Sequence, residues 1–258
     1  MSRVWQSITS DARSFDGGPG AVASIGVIAL SVDRASVVDC GNFLAPFPGA
    51  DLFVNRVPMN VVCTPATLAE MADHLATAAA LLVPGSSLGA IAFSCTSGLV
   101  AIGIDRVHRS IAEGRPGVPV VTPLEAAAKG FAALGARRLS ILAPYHQDAC
   151  NLIAGHFEAA GFTLDRCSTF DLDGDVQMNR LSPQALMAGA ARALHPESDA
   201  LFISCTGLRT AGIVSRLEQT LGVPVITSNQ ATVWDCLNHG GVSNLGRGEG
   251  RLFTVAGR

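Results

Sequence analysis

Along the chain, short runs of apolar, often β-branched residues alternate with longer Ala- and Leu-rich stretches whose apolar positions recur every three or four residues. The first pattern predicts buried strands and the second predicts amphipathic helices. Their alternation predicts βαβ units with parallel sheets. Strands are expected near 24–30, 58–63, 89–94 and 118–121, and a second set near 138–143, 163–169, 199–204 and 223–226. Helices are expected over about 65–83, 99–113, 124–134, 147–160, 183–194, 209–220 and 230–238. Thr64-Pro65 and Ser182-Pro183 each place a capping hydroxyl before a proline suited to the first helical position. Gly135 and Gly161 follow two helix ends, where a left-handed residue closes the last turn.

The two strand sets carry matching phrases. Ala90-Ile91-Ala92-Phe93-Ser94-Cys95-Thr96 is answered by Ala200-Leu201-Phe202-Ile203-Ser204-Cys205-Thr206, and Gly117-Val118-Pro119-Val120-Val121-Thr122 by Gly222-Val223-Pro224-Val225-Ile226-Thr227. The chain is therefore expected to be an α/β protein of two pseudo-symmetric lobes. Each lobe has a four-stranded parallel sheet flanked by helices, and the active site lies between them. Residues 1–21 read as a surface arm, 22–125 plus 228–258 as lobe one, and 126–227 as lobe two. Open parallel sheets gather ligands at the carboxyl ends of their strands, and both Ser-Cys-Thr phrases fall there.

Composition narrows the classes. Of 258 residues, 48% are hydrophobic, enough for a large core, and only 15% are charged. That low share of charge leaves room for a buried subunit interface, so a homo-oligomer, dimer or tetramer, is expected. The net charge of −3 comes with no basic stripe, which argues against nucleic acid as a partner. No apolar run approaches the roughly 18–20 residues of a membrane span, so no membrane partner is expected. Residues 1–20 include Arg3, Asp11, Arg13 and Asp16 and do not read as a signal peptide, which makes the cytoplasm the expected location. Seven cysteines in that compartment read as thiols. Neither their spacing nor that of the six histidines suits zinc, and no metal is expected. Without a Gly-x-Gly-x-x-Gly fingerprint, no nicotinamide or flavin cofactor is indicated.

The matched thiols carry the candidate chemistry. Two opposed thiols can take a proton from one face of a carbon and return one to the other, or supply a nucleophile and an acid. A helix starting just after each Ser-Cys-Thr would stabilise a thiolate, and its N–H groups, with Thr96, Ser97, Thr206 and Gly207, would hold a substrate carboxylate. Cys40, Cys63, Cys150, Cys167 and Cys236 read instead as small buried hydrophobes. The end of the first strand in each lobe adds Ser31 and Asp33 in one and Tyr145, the only tyrosine, in the other. Asp33 can orient an ammonium or hydroxyl, or equally cap the following turn. Asn229 can bind ligand or cap a helix, Asp175 sits in a loop that an ordinary turn would also explain, and Arg209 can bind a carboxylate or pair at the surface.

The two Ser-Cys-Thr phrases, Pro144-Tyr145, Cys205-Thr206-Gly207-Leu208-Arg209-Thr210 and Ser228-Asn229-Gln230-Ala231 together resemble the aspartate/glutamate racemase superfamily, over about residues 22–240. The nearer match is the branch with maleate cis-trans isomerase, arylmalonate decarboxylase and racemase-like proteins of ectoine utilisation. The resemblance implies a cofactor-free enzyme acting on a small carboxylate or amino acid. Cys95 and Cys205 match its catalytic cysteines, and Tyr145 its tyrosine near the substrate carboxylate. Arylmalonate decarboxylases typically lack the first cysteine, so two thiols favour isomerisation or racemisation. Asp33 stands where maleate isomerases carry an asparagine, which would repel a dianion and favour an ammonium, as in the ectoine-utilisation proteins. Asp175 or Gly174 falls where they carry a second asparagine.

The leading expectation is thus racemisation at the α-carbon of an amino acid or derivative of the diaminobutyrate type. The alternatives are maleate-type cis-trans isomerisation through a thioether on Cys95, decarboxylation with Cys205 as proton donor, and a non-catalytic ligand-binding protein.

Overall fold

The computed structural model describes residue 8 and residues 14–60, 64–243 and 246–257. Much of the arm expected over 1–21 lies outside them, as does Cys63.

The first sheet is built from β1 (Ala23–Leu30), β2 (Ala50–Val57), β3 (Ala90–Phe93) and β4 (Val120–Val121). It is parallel throughout, in the order β2-β1-β3-β4. The second repeats it with β5 (Arg138–Ala143), β6 (Thr163–Thr169), β7 (Ala200–Ile203) and β8 (Val225–Thr227), ordered β6-β5-β7-β8. Between the strands run α1 (Ser36–Leu44), α2 (Pro65–Ala69), α3 (Ala72–Ala80), α4 (Thr96–Ile102), α5 (Ile104–Gly114) and α6 (Pro123–Ala133). They are followed by α7 (Gln147–Ala159), α8 (Asp175–Met178), α9 (Pro183–Ala193), α10 (Val214–Leu221) and α11 (Ser228–His239), with a last 3-10 turn at Arg251–Thr254.

The repeat read from the sequence is a repeat of hydrogen bonds. Ser94 N–H donates to Ile28 O at 2.9 Å, and Ser204 N–H to Leu142 O at 2.8 Å, so each phrase leaves its sheet beside the same central strand. Pro119 O accepts from Ile91 and Pro224 O from Leu201, which explains the duplicated Gly-Val-Pro: each aligns the last strand of its sheet. The central strands are apolar because both faces are covered; β3 and β7 are buried at every position. The edge strands β2 and β6 are half-buried or exposed over most of their length.

Expected caps form. Thr64 Oγ1 accepts from Thr67 N–H and Ser182 Oγ from Ala185 N–H, each ahead of its proline. Behind the second sheet, Phe131, Phe157, Phe162 and Phe202 pack edge to face, with the Phe157 and Phe202 centroids 5.1 Å apart. α11 lies against α6 and against α1, β1 and β3 of the first sheet. Gly130 allows its neighbours in close, since a Cβ there would sit 2.8 Å from Leu252 Cδ1.

Four expectations change. The strand placed at 58–63 lies at Ala50–Val57 instead; residues 58–60 are irregular and 61–63 lie outside the described residues. α1 fills a stretch with no helix expected, where Val37, Val38 and Gly41 weaken the helical signal. The long helices expected at 65–83 and 99–113 are each two, the second broken at Gly103 (φ 90°). The helix expected from 209 starts only at Val214.

Candidate active site

β3 and β7 end on the two thiols, and the phrases interlock. Thr206 Oγ1 donates to Ser94 O at 3.1 Å, from the second phrase to the first. Ser228, at the start of α11, joins both: its Oγ lies 3.1 Å from Thr96 Oγ1 and accepts from Cys205 N–H at 3.0 Å. The thiols are almost covered, with Cys95 4% and Cys205 5% exposed. None of the six described cysteines is in a disulfide.

The settings of the two sulfurs differ. Cys95 caps α4 from an ordinary extended conformation (φ −155°), and its Sγ accepts from Gly98 N–H at 3.1 Å, with Ser97 Oγ at 3.7 Å. A Cβ at Gly98 would lie 2.8 Å from that sulfur and 2.5 Å from Met71 Cε, so glycine alone permits the approach. Cys205 has φ 108°, a strained region for a side-chain-bearing residue. No helix starts behind it, contrary to expectation; a turn brings Gly207 N–H to its Sγ at 3.3 Å. Burial pushes the Cys205 thiol well above the ordinary thiol range; hydrogen bonding from Tyr145 and Gly207 opposes this, while Asp175 and Cys95 add to it.

Tyr145 is the third member. Its hydroxyl is buried beside Cys205 Sγ and Ser204 Oγ, without a hydrogen bond of regular geometry to either. Burial raises the phenol far above its usual value, as do Cys205 and Cys95, so it stays a neutral donor. A cleft of about 240 Å³ opens here, lined among others by Ser97, Tyr145, His146, Asp148, Asp173 and Asp175. Of these lining groups only His146 is basic, and it is engaged by Asp171 at 2.6 Å and Asp173 at 3.4 Å.

The other expected residues divide. Asp175, at the first position of α8, faces Cys205 and the cleft. Asp33 caps the turn into α1: its carboxylate accepts from Ala35 N–H, Ser36 N–H at 2.9 Å and Ser36 Oγ at 2.7 Å. Ser31 is exposed and accepts from Met59 N–H. Asn229 donates to Asp39 Oδ2, Thr206 O and Leu208 O, which makes it a brace for the Cys205 loop. Arg209 reaches Leu181 O at the surface.

Asp39 is the residue that sequence reasoning missed. From α1 its buried carboxylate accepts from Thr210 N–H, Thr210 Oγ1 and Ala211 N–H, each at 2.8 Å, and from Asn229 Nδ2 at 2.9 Å. Burial raises its pKa while those four bonds pull it back. The carboxylate thus fastens the loop after Cys205 to the first lobe. Its sequence signal, an acid in an otherwise apolar helical face, is too common to have singled it out. Asp165, His195 and Glu197 could gather round a cation, but the Arg138 guanidinium already pairs with Asp165 and Glu197.

The profile of the arylmalonate decarboxylase family matches residues 65–253, which covers both thiol phrases, Tyr145 and Ser228. The chain belongs to this family. It is 32% identical to the arylmalonate decarboxylase of Bordetella bronchiseptica over 140 residues, 53% of this chain and 58% of that enzyme, so the match spans little more than half of that relative. It is 23% identical to the maleate isomerase of Nocardia farcinica over 241 residues, 90% of this chain and 96% of that enzyme. The structure of a cysteine-to-serine variant of maleate cis-trans isomerase from Nocardia farcinica, with a covalently bound succinylcysteine intermediate, superimposes with a TM-score of 0.82 at 23% identity, over 90% of this chain and 98% of that one. The resemblance to the maleate isomerase branch of the aspartate/glutamate racemase superfamily therefore holds, and so does the fold of two four-stranded parallel sheets.

Proposed function

We propose that this protein is a two-cysteine isomerase that inverts the α-carbon of a small amino acid or amino-acid derivative without a cofactor. The observation that carries this is the interlocking of the two Ser-Cys-Thr phrases, which sets a thiol from each sheet near Tyr145, a residue of the cleft wall. Cys95, with Gly98 N–H directed at its sulfur, serves as the base that removes the α-proton. Cys205, kept protonated by burial, delivers a proton to the opposite face. In the reverse direction the roles exchange. The negative charge that develops on the substrate carboxylate needs fixed donors; Ser97 and the Tyr145 hydroxyl, both from the cleft wall, would supply them. Asp148, Asp173 and Asp175 in the cleft lining favour an ammonium and oppose a second carboxylate. Diaminobutyrate-type compounds are therefore the first substrates to test. We also propose that Ser228 marks the return of the chain to lobe one, so that α11 belongs with residues 22–125.

A second reading is favoured by the Nocardia farcinica relatives: cis-trans isomerisation of a maleate-like diacid, with Cys95 adding to the alkene and Cys205 supplying and recovering the proton. Proton NMR in D2O separates the two. Enzyme is incubated with 2,4-diaminobutyrate, its N-acetyl derivatives and a panel of amino acids, and in a parallel tube with maleate. Loss of an α-proton signal, abolished in both Cys95→Ala and Cys205→Ala, is the expected result. Full turnover with either thiol removed would sink the two-thiol mechanism. Conversion of maleate to fumarate without α-exchange would transfer the assignment to the second reading.

A further inference from the structure

Cys150 and Cys167, read from the sequence as inert core cysteines, meet behind the cleft wall. Cys150 is on α7, whose first turns supply Asp148, Ala149 and Leu152 to the cleft. Cys167 is on β6, against which α7 packs. Side chains alternate along a strand, so Cys167 and Thr169 share a face of β6. The Thr169 hydroxyl donates to Tyr145 O, and Cys150 Sγ lies 3.9 Å from that same carbonyl. The two sulfurs lie near enough there to act on each other's protons. That proximity lowers the pKa of Cys150 and raises that of Cys167, so the pair gives up one proton more readily than an isolated thiol and holds the second more tightly. Access is also divided: Cys167 is exposed, whereas Cys150 is 2% exposed.

We infer that Cys150 and Cys167 form an oxidation site, a dithiol that hydroperoxides convert to an intrachain disulfide against the back of the substrate cleft. The pair releases one proton to solvent; in the minor form whose remaining proton sits on Cys150, the accessible Cys167 thiolate attacks a peroxide oxygen. An S–O bond forms, the O–O bond breaks, and with hydrogen peroxide the leaving hydroxide takes up a solvent proton, in place of the one the pair released, and departs as water, giving a sulfenic acid. Cys150 sulfur then attacks that of Cys167. The S–S bond forms, the S–O bond breaks, and the Cys150 proton leaves with the hydroxide as a second water. Two thiols lose two electrons in total, and one peroxide is reduced to two waters. The bond ties β6 to α7 at the carbonyl of Tyr145, where the wall carrying the phenol is anchored. The inference does not depend on which reaction the cleft performs.

The test treats the full chain with a small molar excess of hydrogen peroxide near neutral pH. Remaining thiols are capped with iodoacetamide under denaturing conditions, the protein is digested, and the peptides are weighed. The expected product is a linked pair containing Cys150 and Cys167, two hydrogens lighter than the separate peptides and released by dithiothreitol, while Cys40 and Cys236 are recovered capped. Cys167→Ser, a change at an exposed position, should give no linked pair and return Cys150 as a capped thiol. Recovery of both cysteines as capped thiols while Cys95 or Cys205 has been oxidised would overturn the inference. So would a linkage found only between chains.

Discussion

The two Ser-Cys-Thr phrases start alike and end differently. Each leaves a buried strand beside the same central neighbour. Beyond that, Cys95 opens a helix in a relaxed conformation with a backbone N–H aimed at its sulfur, whereas Cys205 sits at φ 108° in a turn, beside a buried phenol. The strain at Cys205, typically about 1–3 kcal/mol at such a position, is held in place by Ser228 at its amide and by Asp39 five residues on. Duplication decides where a sulfur stands; its neighbours decide whether it keeps its proton. A symmetric pair of lobes therefore presents two thiols in different settings, as the proposed acid and base roles require.

The sharpest way to break this comparison is chemical labelling. Burial holds the proton on Cys205, and only the thiolate reacts, so iodoacetamide should modify Cys95 faster than Cys205. Peptide mass spectra over time give both rates, and equal rates would erase the asymmetry. Next comes the clamp. Asp39→Asn replaces an acceptor of four bonds by a group that also donates, and should lower stability by about 3 kcal/mol in urea unfolding. The folded-state pKa of Asp39 is raised, so its contribution to stability is complete below the ordinary carboxylate range and is lost as pH rises through the folded value. The asparagine variant should lack that component of the pH dependence.

The glycines beside the thiols sharpen the contrast further. Gly98→Ala places a methyl 2.8 Å from Cys95 Sγ and should cost about 100-fold in kcat/KM. Gly207→Ala meets Cys205 Sγ at 3.4 Å, ordinary contact, and should cost under about tenfold. Matching losses would mean that both thiols are equally confined. Tyr145→Phe removes one donor from the cleft and leaves the packing intact, so kcat should fall about tenfold, the worth of one ordinary hydrogen bond. An unchanged kcat would take the phenol out of the chemistry.

How far the chain can be read without its structure follows from which forces are local. β1, β3, β5 and β7 are doubly covered and read as continuous apolar runs. β2 is a half-exposed edge, and the more apolar run at 58–63 drew the strand to itself. Of the site, the thiols, Tyr145 and Thr206 were legible because repetition and rarity marked them. Asp33 offered two roles, and the capping bonds to Ala35 and Ser36 decide for the turn. Asn229 proved a brace, for the reason that its amide meets Asp39 across the lobes.

The sequence by itself determined the doubling of the lobe, the parallel order of its strands and the placement of a thiol at the same strand end in each half. Those features follow from periodicity and from a repeated phrase, which are properties of neighbouring residues. Only the tertiary structure decided that the two halves interlock through Thr206 and Ser228, that Asp39 on α1 anchors the loop of the other half, and that one thiol opens a helix while the other sits in a strained turn beside a phenol. The interlocking and the anchor depend on contacts between residues more than a hundred positions apart, and on the water excluded where they meet. Desolvation, which sets the proton on Cys205, is not a property of any local stretch of chain.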